Sequence, residues 1–426
     1  MSSEVPVQTT PPGGSDAAAP VIAPDGSTTA VHAPILGGLN IGWGTLLTTL
    51  PIYVGLILIW LYFDSQTAGR FIGSRNLSEM AQEFSYEAVL AIGVVFVLLL
   101  GEIDLSLGYL TLLSVALVAS FSALQHWSAF ASIAVAIIVC TLCGLFQGFL
   151  VSWVRMPSFV VTLGGFLIFE GIAYHILGGS TINVFDPFIS SIGTYYLPNV
   201  LSWVLVAVSI VIFGLAALAR NNSRVKAGLR PQAAARTITA GVGLAVILAL
   251  VVWMMNRYRG VPLALALLIG FTLLFWFLAT KTPYGRHVYA VGGNPEASRR
   301  AGINTTFIRW SVFGISGLMA GVAGVMLVGY SSAGSTTTAG PDLLLDVISI
   351  AVIGGVSLTG GKGSALAVLL GGLVIASLDS GLNLMATDPY YVYVIKGAIL
   401  LAAIGVDIVG KRASGVSWPK RKGATA

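Results

Sequence analysis

Charge is what this chain has least of. Of its 426 residues only 9% are Asp, Glu, Lys or Arg, while 56% are hydrophobic and the mean hydropathy is +0.89. A soluble globular protein carries about 25% charged residues, so the composition excludes that class and places the chain in a bilayer. Histidine and cysteine are scarce too. His32, His126, His175 and His287 lie far apart, and no HExxH, GxSxG or zinc-type cluster occurs. Cys140 and Cys143 form a CxxC inside an apolar run, where they read as two small buried hydrophobes. The nearest string to a phosphate-binding loop is Gly360-Gly361-Lys362-Gly363-Ser364. It fails because Val356 stands where the first glycine belongs and Gly363 follows the lysine. No catalytic residue, metal or cofactor is expected. The chain moves something and does not transform it.

Residues 1–42 lack Lys and Arg altogether and are dominated by Pro, Gly, Ala, Ser and Thr. A secretory signal needs a basic start, so this stretch reads as a disordered tail. From Trp43 the apolar runs fall near 43–63, 84–100, 105–125, 128–152, 158–178, 198–219, 237–256, 261–280, 307–329, 344–359, 365–386 and 391–410. They predict an all-α fold: a polytopic membrane helix bundle of about twelve transmembrane segments over 43–410, followed by a basic tail at 411–426. The runs at 84–100 and 344–359 are short. The second is also interrupted by Gly354, Gly355, Gly360, Gly361 and Gly363. Irregular backbone at membrane depth survives only inside protein or along a cavity, so a broken or re-entrant helix near a pathway is expected there.

The net charge of +5 does not call for nucleic acid, because the basic residues crowd a few short loops. Arg155, the loop from Arg220 to Arg236, the stretch from Lys281 to Arg309 and the C-terminus hold 16 of the 22 Lys and Arg. Twelve alternating spans put all of these on one side, which the positive-inside rule makes cytoplasmic. Both termini are then inside, and the polar loops 179–197 and 330–343 face out.

One polar stretch on the inner side, 281–306, has the marks of a short surface helix built to be gripped. Asn294 suits the N-cap, Pro295 the first helical position and Glu296 the positive end of the helix dipole. Arg299 and Arg300 suit the other end, Gly302 sits where a C′ glycine stops the turn, and Gly292 and Gly293 admit the chain tightly. In the next span, Gly314, Gly317, Gly321 and Gly324 form a stripe for close helix packing.

Ionisable residues inside spans are functional candidates by default. They are Glu87, Glu102, Asp104, Glu170, His175, Asp346, Lys362, Asp379, Lys396 and Asp407. Glu87, Asp346 and Asp407 read as solvated at helix ends. Glu102 and Asp104, in Gly101-Glu102-Ile103-Asp104-Leu105-Ser106-Leu107-Gly108, lie level with Lys362, so an Asp104–Lys362 pair is one expectation. Glu170, His175, Asp379 and Lys396 could form buried pairs.

Four segments together resemble a known family. They are Gly101–Gly108, Gly285–Asn304 with its GGNPEASRRAGIN, Ala351–Ser364 with its AVIGGVSLTGGKGS, and, more weakly, Met156–Gly164. In their order along the chain they resemble the permease subunit of bacterial ATP-binding-cassette importers for monosaccharides, the ribose, xylose and galactose type, over residues 43–410. The resemblance implies that 294–302 is a coupling helix seated on a cytoplasmic ATPase, with Gly293, Asn294, Pro295, Glu296, Ala297, Arg299, Arg300, Ala301 and Gly302 at that interface. It implies a second permease copy and a sugar-binding protein that meets loops 179–197 and 330–343. Candidate pathway or gate residues are Glu102, Asp104, Ser106, Gly354, Gly355, Ser357, Gly360, Gly361 and Lys362. Glu102 stands where many members carry glycine. The span count exceeds the family's usual one by a hairpin near 198–256, which looks most like the xylose or multiple-sugar subgroup. The alternative is a proton- or sodium-coupled sugar symporter, with Glu102, Asp104 or Glu170 as a relay.

Overall fold

A chain in hydrocarbon must satisfy its backbone amides internally, and a helix does so within one segment. The computed structural model, described for residues 43–228 and 234–413, follows that rule almost throughout. The expected tail at 1–42, residues 414–426 of the basic tail, and the side chains of Arg236 and Asp407 lie outside the described residues. Met1–Leu46 is a separate unit of which only the start of the first helix is described; Leu47–Ala426 carries everything below.

The helices are α1 Trp43–Gln66, α2 Ser74–Leu99, α3 Leu107–Ala119 (extended by a π turn at Ser120–Leu124), α4 Ala129–Ser152 and α5 Ser158–Leu177. After strand β1 Ile182–Asn183 come α6 Pro187–Thr194, β2 Tyr196–Leu197, α7 Asn199–Lys226, α8 Ala234–Asn256, β3 Val261–Pro262 and α9 Leu263–Lys281. The chain continues through α10 Pro283–Gly293, α11 Pro295–Arg300, α12 Thr305–Ser331, β4 Ala333–Gly334, α13 Pro341–Ile353, α14 Ala367–Leu384 and α15 Pro389–Ala413.

Every apolar run in the sequence falls on a helix, so the all-α polytopic bundle stands. The count of about twelve spans is not confirmed. Among the described residues nine helices are long and apolar enough to cross a membrane: α2, α3 with its π turn, α4, α5, α7, α8, α9, α12 and α14. Helices α1 and α15 are 24 and 25 residues long, with apolar stretches Ile52–Gln66 and Pro389–Ala402 among the described residues, and α13 has only 13 residues. The run at 84–100 is not short. It is the second part of a 26-residue helix whose first turns are polar, from Ser74 to Glu83, and whose membrane window is 94% buried.

Helix α2 packs at the centre with α12, and α12 lies along α4 through its glycine stripe. Gly317 meets the Cys140 carbonyl and Gly144, Gly314 meets Leu145, Gly321 meets Ile137, and Gly324 meets Ser114 of α3. Ser114 Oγ donates to the Gly321 carbonyl at 2.8 Å. Small residues give such contact in a bilayer, where burying apolar surface adds no driving force. The hairpin α7–α8 is different, with 12% and 11% of its windows buried; Val206, Val252 and Met255 fasten it beside Ala81 of α2.

At one end of the bundle the connections tie to each other. Strand β1 pairs antiparallel with β4, Ile182 opposite Gly334, so loops 179–197 and 330–343 are joined. Strand β2 pairs with β3 in the same way. The 330–343 stretch does not stay at that end. Gly334 lies against Val115 and Ala119 of α3, whereas the Gly340 carbonyl lies against Gly108 at the start of α3. At 1.5 Å per residue the segment therefore runs back along α3 by roughly 10–15 Å. Helix α13 starts beside the start of α3, and its chain turns irregular after Ile353. The broken segment thus has irregular backbone at both ends, not only at its glycines.

Candidate functional site

At the bundle end opposite the strand pairs, the polar stretch after α9 folds into two helices rather than one. Thr282 Oγ1 accepts from Gly285 N at 3.2 Å and Pro283 opens α10. Val288 and Val291 face inward. This helix was missed because its inward face is marked by little more than Tyr284, Val288 and Val291. Their helical spacing after a Thr-Pro start was the available signal. Gly292 and Gly293, expected to be a tight turn, are its last residues.

Helix α11 follows at once. Asn294 Oδ1 accepts from Ala297 N at 3.0 Å, with Pro295 at the first position. Gly302 takes φ +81°, its N–H bonding the Arg299 carbonyl at 3.0 Å, and Ile303 N–H bonds the Ser298 carbonyl at 3.0 Å. Both ends are thus closed as the residue types require. Glu296 lies 3.2 Å from Arg300 and 3.9 Å from Arg299. Gly293, Asn294, Glu296, Ala297, Arg299, Arg300, Ala301 and Gly302 are exposed, Pro295 is half-buried, and Ser298 turns inward. A surface pair of this kind is worth about 0.3–0.5 kcal/mol, so the caps define the helix more than the charges do.

Helix α10 meets two other motifs, by backbone packing at Gly292 and Gly293 and by the Tyr289 side chain. Gly361 N–H donates to the Leu99 carbonyl at 2.8 Å, and Tyr289 Oη–H donates to the Gly363 carbonyl at 2.7 Å. A Cβ on Gly360 would stand 2.8 Å from both Gly101 N and the Gly292 carbonyl oxygen. Gly360 and Gly361 hold φ at +84° and +71°, which L side chains resist. Ser357 N–H closes the turn onto the Lys362 carbonyl at 2.9 Å. Gly354 lies against Ala367 of α14, while Gly355 is exposed at φ +95°. The segments around Leu99–Gly101, Gly292–Gly293 and Gly360–Gly363 therefore meet with almost no side chain between them.

The acidic motif sits just above. Glu102 accepts from Ser158 Oγ at 2.6 Å, and its Oε1 stands 3.4 Å from Arg309 Nε of α12, an ion-pair distance without hydrogen-bond alignment. Asp104 is buried. Its Oδ1 accepts from Ser106 N at 3.0 Å and Ser106 Oγ at 2.7 Å, and its Oδ2 from Ser316 Oγ at 3.1 Å. Gln147 Nε2 donates to Ser106 Oγ at 3.0 Å, which joins α4 to the same network. Burial pushes the Asp104 carboxyl above its ordinary range, against those donors, which pull it down. The expected Asp104–Lys362 pair does not form. Asp104 is occupied by hydroxyl and amide donors inside the bundle, and Lys362 is exposed on the Ser357–Lys362 turn.

The placement of Glu87 and Asp346 at solvated helix ends is also overturned. Both are buried, and Lys396 bridges Asp346 at 3.0 Å and Asp379 at 2.6 Å. Asp379 and Lys396 thus pair, but both are half-buried rather than buried. Glu170 accepts from Tyr109 Oη at 2.7 Å between α5 and α3, while His175 is exposed. A cavity of about 500 Å³ between α1, α14 and α15 is walled by apolar residues such as Leu58, Phe63, Leu378 and Leu382, and offers a polar solute little.

Nine apolar spans among the described residues, a broken segment and a capped knob packed against it make a multi-pass helical membrane protein, and the match to known proteins makes it a permease component. Residues 76–404 fit the family described as branched-chain amino acid transport system, permease component, and the chain belongs to it. The xylose transport system permease protein of Escherichia coli (strain K12) is 35% identical over 391 residues, covering 91% of this chain and 98% of that protein. The ribose import permease protein of the same strain is 28% identical over 351 residues, 82% and 91% of the two chains. The fructose import permease protein of Rhizobium meliloti is 28% identical over 358 residues, 84% of each. No solved structure matches the chain. Permeases of this kind reside in the inner membrane and work in general with an ATPase and a solute-binding protein, so membership displaces the symporter reading.

Proposed function

We propose that this chain carries a monosaccharide, a xylose-like sugar in the first place, into the cytoplasm as the membrane subunit of an ATP-binding-cassette importer. The xylose permeases support that choice, being 35% identical against 28% for the ribose and fructose permeases. ATP hydrolysis belongs to a separate ATPase that grips Gly293–Ala297 and Arg299–Gly302 on the cytoplasmic face, where the basic-residue bias also puts both termini. A second copy of the permease completes the pathway within the lipid. A sugar-binding protein docks on the opposite face, over the loops joined by β1 and β4.

The observation that carries this reading is the backbone junction. A pull on α11 passes through α10 into Gly360–Gly363 and Leu99–Gly101, by main chain packed on main chain at Gly292–Gly293 and by the Tyr289 phenol on the Gly363 carbonyl. Those two segments continue into α13–α14 and α2–α3, the helices whose rearrangement opens or closes an inner gate. Glu102, Asp104, Ser106, Gly354, Gly355, Ser357, Gly360, Gly361 and Lys362 surround that gate. The buried Asp104–Ser106–Ser316–Gln147 network holds α3, α4 and α12 in register there.

Proteoliposomes containing this chain, its ATPase and its binding protein should accumulate xylose only with ATP inside the compartment that faces α11. Uptake by the chain alone under a proton gradient would overturn the reading. So would ATP-driven uptake that survives loss of α11.

A further inference from the structure

Midway along α2 stands a group of charges that the junction does not use. Lys396 Nζ of α15 lies 3.0 Å from Asp346 Oδ2 of α13 and 2.6 Å from Asp379 Oδ1 of α14. Glu87 of α2 brings a carboxylate oxygen within 4.8 Å of oxygens from both aspartates. Glu87 is only 6% exposed, and its Oε2 has no hydrogen-bond partner. An acidic cluster alone would mean little. A buried carboxylate with an unpartnered oxygen, within 4.8 Å of two other carboxylates, calls for a positive species among them.

The neighbouring elements do not provide one. On α2 the next groups are Glu83, one turn away, and Tyr86, whose ring meets Tyr330 of α12 at 5.8 Å. On α13 it is Asp342, which accepts from Tyr393 Oη of α15 at 2.8 Å. Lys396 is the one cation among these described groups, and it is already shared by two carboxylates. Fully ionised, Glu87, Asp346, Asp379 and Lys396 would hold three negative charges against one positive in the middle of a bundle. Like charges this close cannot all ionise away from water.

We propose that Glu87 holds a proton on its carboxyl group, beside the oxygens of Asp346 and Asp379, so that the bundle contains an intramembrane proton site. A metal ion is the poorer occupant. The ammonium of Lys396 already lies against the oxygens a metal would need, and a second cation would have to expel it. A proton needs no such room and turns an orphaned acceptor into a donor. Because α13 and α14 flank the Gly354–Ser364 segment, proton loss would loosen the helices nearest the junction. The inference does not depend on which solute is carried.

The test uses the purified full chain in lipid nanodiscs, without transport. Infrared difference spectra at neutral pH should show a protonated carboxyl band that shifts in deuterium oxide and is lost in Glu87→Gln. A carboxyl that keeps its proton in the fold and loses it on unfolding makes stability fall as pH rises. Melting temperature should therefore decline from mildly acidic to mildly alkaline pH in the wild type, and less steeply in Glu87→Gln. Absence of the band in the wild type overturns the proposal, and that measurement needs no variant to fold. Survival of the band in Glu87→Gln overturns it as well. Displacement of the band by added sodium or calcium chloride would assign the site to a metal instead.

Discussion

Glycine does two different jobs in this molecule. In α12 the glycines at 314, 317, 321 and 324 lie within a regular helix, and their use is to let α4 and α3 approach. At the junction, Gly360 and Gly361 are in left-handed backbone, and their use is to let three chain segments cross with main chain against main chain. The first arrangement is rigid because every amide is satisfied along the helix. The second is held by a few bonds, Gly361 to Leu99 and Tyr289 to Gly363, and can move as a unit. Removing the first should cost folding; altering the second should cost coupling.

The largest effect is expected at Gly317. A Cβ there runs into the Cys140 carbonyl and the Gly144 backbone, neither of which can rotate aside. Overpacking costs about 1–3 kcal/mol even where side chains yield, and here the helices must separate. Gly317→Val should sharply lower the yield of folded protein and the melting temperature. Normal yield would end the claim that the stripe fixes the bundle.

Next is Gly361. Left-handed strain costs a non-glycine residue about 1–2 kcal/mol, and a Cβ would also stand 2.8 Å from Gly293 Cα. Gly361→Ala should still insert in the membrane but lose most ATP-dependent uptake, while the ATPase remains bound. If uptake and folding fell together, the two glycine regions would not differ in kind.

What the sequence made legible follows the same division. The spans from Ala129 to Ser152 and from Leu263 to Lys281 were readable because a bilayer demands long apolar runs. The caps at Asn294 and Gly302 were readable because they are local. The start of α2 was hidden, since Ser78 and Gln82 look like a loop until their buried places in the bundle are known. The proton cluster was hidden for another reason. Glu87, Asp346, Asp379 and Lys396 come from four helices, and no spacing along the chain announces that they meet. Likewise the glycines marked an irregular segment, but not that Leu99 and Gly292 would be its partners.

Gly302 sharpens the comparison with a smaller effect. It has φ +81°, yet nothing lies within 4 Å of a Cβ placed there. Only backbone strain opposes substitution, about 1–2 kcal/mol for alanine. Gly302→Asn should be nearly silent, because asparagine accepts left-handed backbone, whereas Gly361→Asn should be as harmful as alanine. ATPase-stimulated transport of the two asparagine variants distinguishes crowding from conformation.

The smallest effect on stability belongs to Glu296, and the contrast with its effect on function is what makes it useful. Its pairs with Arg299 and Arg300 are exposed, so Glu296→Lys should change stability by no more than about 0.5 kcal/mol. The substitution nevertheless places a cation at the positive end of α11 and creates a third basic group beside Arg299 and Arg300. An ATPase groove fitted to the native knob would meet reversed charge at the first turn. Melting should therefore be unchanged while co-purification of the ATPase and ATP-driven uptake are lost. Should both persist, the exposed face of α11 is not where the permease is gripped, and the force would have to reach Gly361 through α10 alone.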